Sequence, residues 1–173
     1  IEQGPDQMEL SISDLIARHL VDLGHVVHVG AADGPEIAAY YEAGFSHITV
    51  VDADPIRNRL IRTRYPGVQV ESAVCSAAEA RGNEDVEVRR LDAIAPDAKI
   101  VTIDSPGNER AILADAPWGS VEMLIVGTCT ANDPSAYNLV TEMATTRGFV
   151  EVDRWTRDAP TLLDVVYLKG PRL

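Results

Sequence analysis

The chain has 173 residues, 46% of them hydrophobic, and carries 15 Lys and Arg against 27 Asp and Glu, a formal net charge of −12. That length and apolar content specify one domain with a sizeable core and exclude a disordered chain. The charge repels phosphate backbones and anionic lipid, so nucleic acid and membrane surfaces are not expected partners, and no apolar run approaches the roughly 18 residues that span a bilayer.

Residues 1–9 read as a polar, flexible lead-in to a single domain covering 1–173. Ser11 and Ser13 can cap a helix running to about Leu23, with Leu15, Ile16, His19, Leu20 and Leu23 at helical spacing. Gly24 ends it. A first strand at 26–29 closes in the turn Gly30-Ala31-Ala32-Asp33-Gly34, and a helix over 35–43 stops at Gly44. A second strand at 48–51 ends in Asp52. Asp54 and Pro55 open a helix over 55–65, with proline early in its first turn. A third strand begins at 68–70, and Ala73-Val74-Cys75 lie just past it. Residues 76–85 read as a loop and 87–91 as a short extra strand. A fourth main strand at 99–103 ends in Asp104. The loop 105–108 leads to a helix starting at 109–114, then to a fifth strand at 121–126. Asp133-Pro134 open a helix to about Thr146, and strands at 149–155 and 163–168 finish the chain.

Strands alternating with helices predict an α/β fold, a doubly wound and mostly parallel seven-stranded sheet covered on both faces. The last two strands are joined by only about seven residues, whereas a parallel crossover needs a dozen or more, so they must be antiparallel. The strand at 163–168 is expected to lie between the fifth strand and the one at 149–155. Such a C-terminal hairpin is the mark of the class I S-adenosylmethionine-dependent methyltransferases, and dinucleotide-binding Rossmann domains normally lack it. The segment 26–55 points the same way. Glycines after its first strand let backbone approach a ligand, and Asp52, about 20 residues on, can accept hydrogen bonds from both hydroxyls of a ribose.

Two cysteines, Cys75 and Cys129, are too few for a disulfide framework and sit in apolar contexts, so free thiols and a cytoplasmic location are expected. No segment reads as a signal peptide. The chain begins at Ile1 rather than Met, consistent with processing, trimming or excision from a longer protein. His19, His25, His28 and His47 show no metal-ligand spacing, so no metal site is expected.

Five segments resemble the FkbM-type methyltransferases: HVGAADG at 28–34, VVDADP at 50–55, SAVCS at 72–76, RLDAI at 90–94 and TIDSPGNERAIL at 102–113. The resemblance spans roughly 22–128 and implies an S-adenosylmethionine-dependent enzyme that O-methylates a small-molecule or sugar hydroxyl. By that resemblance Gly30, Ala31 and Gly34 would approach the methionine moiety, with α-helical N–H groups beyond the turn facing its carboxylate. Asp52 would hold the ribose, and Ala73 and Val74 would lie beside the adenine. Asp104 would stand near the transferred methyl group as a general base, with Glu109 and His28 as further catalytic candidates. Each has a plainer reading: a tight turn for the glycines, a strand end for Asp52, core for Ala73 and Val74, helix-start acids for Asp104 and Glu109, a hydrogen-bonded strand residue for His28. Three family acids are replaced, by His28, Pro106 and Gly127. These departures keep a second expectation open, a non-catalytic methyltransferase-like module retained for assembly or interaction. A homo-oligomer or larger assembly is compatible with either.

Overall fold

The computed structural model describes residues 12–19, 21–32, 34–75, 86–130, 134–156 and 161–170. Expectations for 1–9, Ser11, Leu20, Asp33, the loop 76–85 and Asp133 fall outside those residues.

Helix α1 is Ile12–His19, shorter than expected, since residues 21–23 are not helical and Leu23 is 53% exposed. Strand β1 is His25–Val29, α2 is Pro35–Glu42 and β2 is His47–Asp52. Helix α3 is Pro55–Arg64, capped by Asp54, whose carboxylate accepts from the Ile56 and Arg57 N–H groups. That is the cap expected before a proline in the first turn. Strand β3 is Gln69–Val74, β4 is Glu87–Val88, α4 is Leu91–Ile94 and β5 is Ala98–Ile103. Helix α5 is Glu109–Ala114, β6 is Met123–Cys129, α6 is Ala136–Thr145, β7 is Phe149–Thr156 and β8 is Leu162–Lys169.

The sheet has eight strands rather than the expected seven, because the short β4 joins β3 at its edge, in the order β4-β3-β2-β1-β5-β6-β8-β7. Pairs from β4 to β6 are parallel, and β8 runs antiparallel to both β6 and β7. The α/β fold with its C-terminal hairpin is therefore the class I methyltransferase architecture, with β8 inserted where the short connection required. Three details differ from the sequence expectation. Ala73 and Val74 lie inside β3, not beyond it, because β4 pairs with them and extends the ladder. Only Glu87 and Val88 are strand; Leu91 is buried at the start of α4. Strand β6 runs past Val126, since Gly127, Thr128 and Cys129 find partners in β8.

Alternation along the buried strands divides the core in two. Val26, Ile48, Val50 and Ile100 face Leu15, Ile37, Tyr40 and Ile61 of α1, α2 and α3. Val27, Val29, Val101 and Leu124 face Leu91, Ile112 and Val140 of α4, α5 and α6. Cys75 is buried and Cys129 partly so, and neither forms a disulfide among the described residues. No described helix is long and apolar enough to cross a membrane.

Candidate functional site

The chain leaves β1 to build β2, β3 and β4 on one side, then returns to β5 on the other. That reversal separates the loops after β1 and β5 and opens a crevice at the carboxyl ends of the strands, where open α/β sheets bind ligands. A cleft of about 340 Å³ lies there. Val29 and Gly30 line it from β1, Asp52 and Ala53 from β2, Ala73 and Val74 from β3, and Asp104, Ser105 and Pro106 from β5.

Gly30 has φ +82°, in the left-handed region that favours glycine. A Cβ there would sit 2.2 Å from the Asp104 carbonyl oxygen. The turn is pinned on both sides: the Gly30 N–H donates to the Val51 carbonyl at 2.9 Å, and the Asp104 N–H donates to that of Val29 at 2.8 Å. Glycine is thus required by the packing of the two loops, whatever the cleft holds. Gly34 begins α2 with φ +77°, and a Cβ there would meet Ile37 Cδ1 at 2.8 Å. Ala31 is buried in the core beside it. Neither Ala31 nor Gly34 is among the lining residues.

Asp52 closes β2 and is buried. Its Oδ1 accepts the Asp54 N–H at 2.8 Å, and Oδ2 lies 3.9 Å from Arg57 Nη1. Burial pushes its carboxyl above the ordinary value, while the Asp54 N–H and the Arg57 guanidinium pull it back. Buried Asn58 donates to the Asp52 carbonyl at 2.8 Å and to Ser72 Oγ at 3.0 Å, holding the ends of β2 and β3 together. A carboxylate that accepts backbone N–H groups and faces a guanidinium at 3.9 Å still has lone pairs for ribose hydroxyls.

Asp104 lines the cleft; His28 and Glu109 do not. The His28 side chain turns to the opposite face of the sheet, buried against Tyr40 of α2. Tyr40 Oη donates to Thr102 Oγ1 at 2.8 Å and meets His28 Nδ1 at 3.0 Å. One hydroxyl has one proton, so with that proton on Thr102 the histidine Nδ1 is the donor to Tyr40. Burial holds the Tyr40 phenol well above its usual range, and Glu36 and Asp104 add to the shift. Glu109 is buried at the start of α5 and its Oε2 accepts the Gly107 N–H at 2.9 Å, tightening the loop that carries Pro106.

Arg57 and Asn58 were not singled out in the sequence. Helix residues five and six positions beyond Asp52 read as surface until the helix is folded back across the strand end. A cue existed in the cap: Asp54 fixes the first turn of α3, which brings the next side chains over the cleft.

No family model and no curated protein matches the sequence. Solved structures do match its fold. A protein of Thermoplasma acidophilum superposes with a TM-score of 0.66 at 12% identity, over 92% of this chain and 86% of that one. A candidate RNA methyltransferase of Pyrococcus horikoshii gives 0.65 at 13% identity, over 91% and 79%. A candidate tRNA methyltransferase of Streptococcus pneumoniae, in complex with S-adenosyl-L-methionine, gives 0.58 at 16% identity, over 93% and 73%. At such identities the likeness is one of fold.

Proposed function

We propose that this chain is an S-adenosylmethionine-dependent methyltransferase whose cofactor lies in the cleft across the ends of β1, β2, β3 and β5. The observation that carries the reading is Asp52: a buried carboxylate at the end of β2, lining a cleft of about 340 Å³ at the topological switch point. The donor chemistry fits an adenosine. Asp52 supplies acceptors for the ribose hydroxyls, and Val29, Val51, Ala53, Ala73 and Val74 supply an apolar wall for the base. When bound, the cofactor brings its own electrophile, a methyl group on a sulfonium. The chain has then to hold an acceptor in line and take a proton. Asp104 is the carboxylate at the cleft suited to that base role; His28 and Glu109 serve packing and loop geometry instead.

For the acceptor we favour a small-molecule or sugar hydroxyl, as in the FkbM-type enzymes that the sequence resembles. Two of the structural neighbours are described as RNA or tRNA methyltransferases, but the net charge of −12 disfavours a polyanionic substrate.

One observation favours the second reading, a non-catalytic module. Pro106 lines the cleft at the position where the resembled family has a glutamate, and Gly127 replaces an acid on β6. Calorimetry on ligand-stripped protein separates the two. Micromolar binding of S-adenosylmethionine or S-adenosylhomocysteine is expected, with Asp52→Ala weakening it by about 1.5–3 kcal/mol, roughly 10- to 150-fold. Absence of binding at millimolar cofactor leaves the module.

A further inference from the structure

At the end of the sheet opposite the cleft, strand register gathers His25, His47 and Asp97. His25 opens β1 and is the Cα partner of His47, which opens β2. On its other side His25 pairs with Ala98, so Asp97 stands immediately before β5. In-register residues of parallel strands project from the same face. The two imidazoles accordingly stack, with centroids 3.6 Å apart and planes within 9°. His25 Nδ1 meets Asp97 Oδ1 at 2.8 Å, and its Nε2 meets Thr49 Oγ1 at 2.8 Å. One nitrogen from each histidine and one Asp97 oxygen all lie within 4.8 Å of one another.

We propose that His25, His47 and Asp97 form a binding site for a divalent transition-metal ion, Zn²⁺ in the first place, bridging the starts of β2, β1 and β5. Two imidazoles and a carboxylate suit Zn²⁺, Co²⁺ or Ni²⁺ and are a poor set for Mg²⁺ or Ca²⁺. His25 is 5% exposed and held by Thr49. Without an ion, Nδ1–H donates to Asp97 and Nε2 accepts from the Thr49 hydroxyl; a cation taking the place of that Nδ1 proton would bind the Nδ1 lone pair, with Nε2–H then donating to Thr49. An outer partner fixing the tautomer and ring of a ligand histidine is the usual arrangement at metal sites.

The other two ligands can move. His47 is exposed, and the Asp97 side chain is 69% exposed. Donors around a tetrahedral ion lie roughly 3.4 Å apart, so shifts of about an ångström close the triad onto fixed His25. Parallel stacked rings keep their lone pairs in separate planes, so coordination turns His47 out of the stack. Three protein ligands leave a fourth position for water, and the charge of −12 raises the local cation concentration.

The test uses the full chain, stripped with chelator and titrated with ZnSO₄ by calorimetry, with MgCl₂ as control. One equivalent of Zn²⁺ is expected to bind and raise the melting temperature, while Mg²⁺ does neither. Co²⁺ should give the visible absorption of a tetrahedral site without a thiolate charge-transfer band, which excludes Cys75 and Cys129. His47→Ala and Asp97→Ala, both at exposed positions, should each weaken Zn²⁺ by more than the roughly 10- to 100-fold that loss of an outer-shell partner costs. No Zn²⁺ binding at submillimolar concentration, a thiolate band, or affinity that survives both substitutions would overturn the site. If a variant does not fold, the wild-type Co²⁺ spectrum decides. None of these readouts depends on what the cleft binds.

Discussion

Asp52 carries opposing demands in a single side chain. A ribose needs it ionised and buried, yet burial is what raises its carboxyl above the ordinary value of 3.8. A raised folded-state value means that the fold prefers the neutral acid. Its contribution to stability is present in full below 3.8 and is lost as pH rises through the shifted value. Asp52→Asn cannot ionise, and its carbonyl can still accept the Asp54 N–H. Thermal melts should therefore show Asp52→Asn more stable than the parent chain at neutral pH, with the gap closing as pH falls. A variant less stable at pH 7 would contradict that. Asp104 poses a different question, since it meets the cleft from a loop anchored by its own N–H to Val29. Asp104→Asn keeps shape while removing the base, and loss of a general base typically costs about 10²–10⁴-fold in rate. Full turnover in a folded Asp104→Asn variant, once an acceptor is known, would end that assignment.

Among the elements, the two tied most directly to the cleft are the β1 turn and the layer beneath it. Gly30→Ala would force a side chain into the left-handed region and onto the Asp104 carbonyl, 2.2 Å away. Strain of that kind costs about 1–3 kcal/mol, and the Asp104 loop must shift to relieve it. Stability and ligand affinity should fall together, unlike Asp52→Asn, where they part. Tyr40 ties α2 to β1 and β5 through His28 and Thr102. Tyr40→Phe removes one hydroxyl from two buried polar contacts, and a loss of about 1–3 kcal/mol in chemical denaturation is expected. An unchanged midpoint would show that the network is not structural. Element order, the hairpin and the placement of Asp52 and Asp104 could be read from the sequence because periodicity and connection length determine them. The face to which His28 turns could not, since it follows from packing against Tyr40. His25, His47 and Asp97 were equally hidden: their spacing means nothing until parallel register sets β2, β1 and β5 side by side. Ala73 and Val74 were read as lying beyond their strand because the short strand at Glu87–Val88, though legible, does not reveal from sequence that it pairs with them.

At the scale of the whole molecule, charge decides which acceptors can approach. Fifteen basic residues against 27 acidic ones give a repulsive far field for any polyanion. The local exception is α3, which carries Arg57 at the cleft and Arg59, Arg62 and Arg64 farther along the helix. Two of these are engaged within the fold. Arg57 lies beside Asp52 and Asp54, and Arg62 donates to the Val70 carbonyl at 2.8 Å. Non-specific nucleic-acid affinity grows with the number of phosphates neutralised, and a strip of four exposed arginines, two of them already engaged within the fold, neutralises few. Mixed tRNA at low salt should therefore give no mobility shift at micromolar protein, and no inhibition of cofactor binding in the cleft. A shift that weakened steeply with added salt and vanished in an Arg59→Glu, Arg64→Glu double variant would reverse the argument. The strip on α3 would then outweigh the net charge, and the acceptor would be sought among RNAs rather than small hydroxyl compounds.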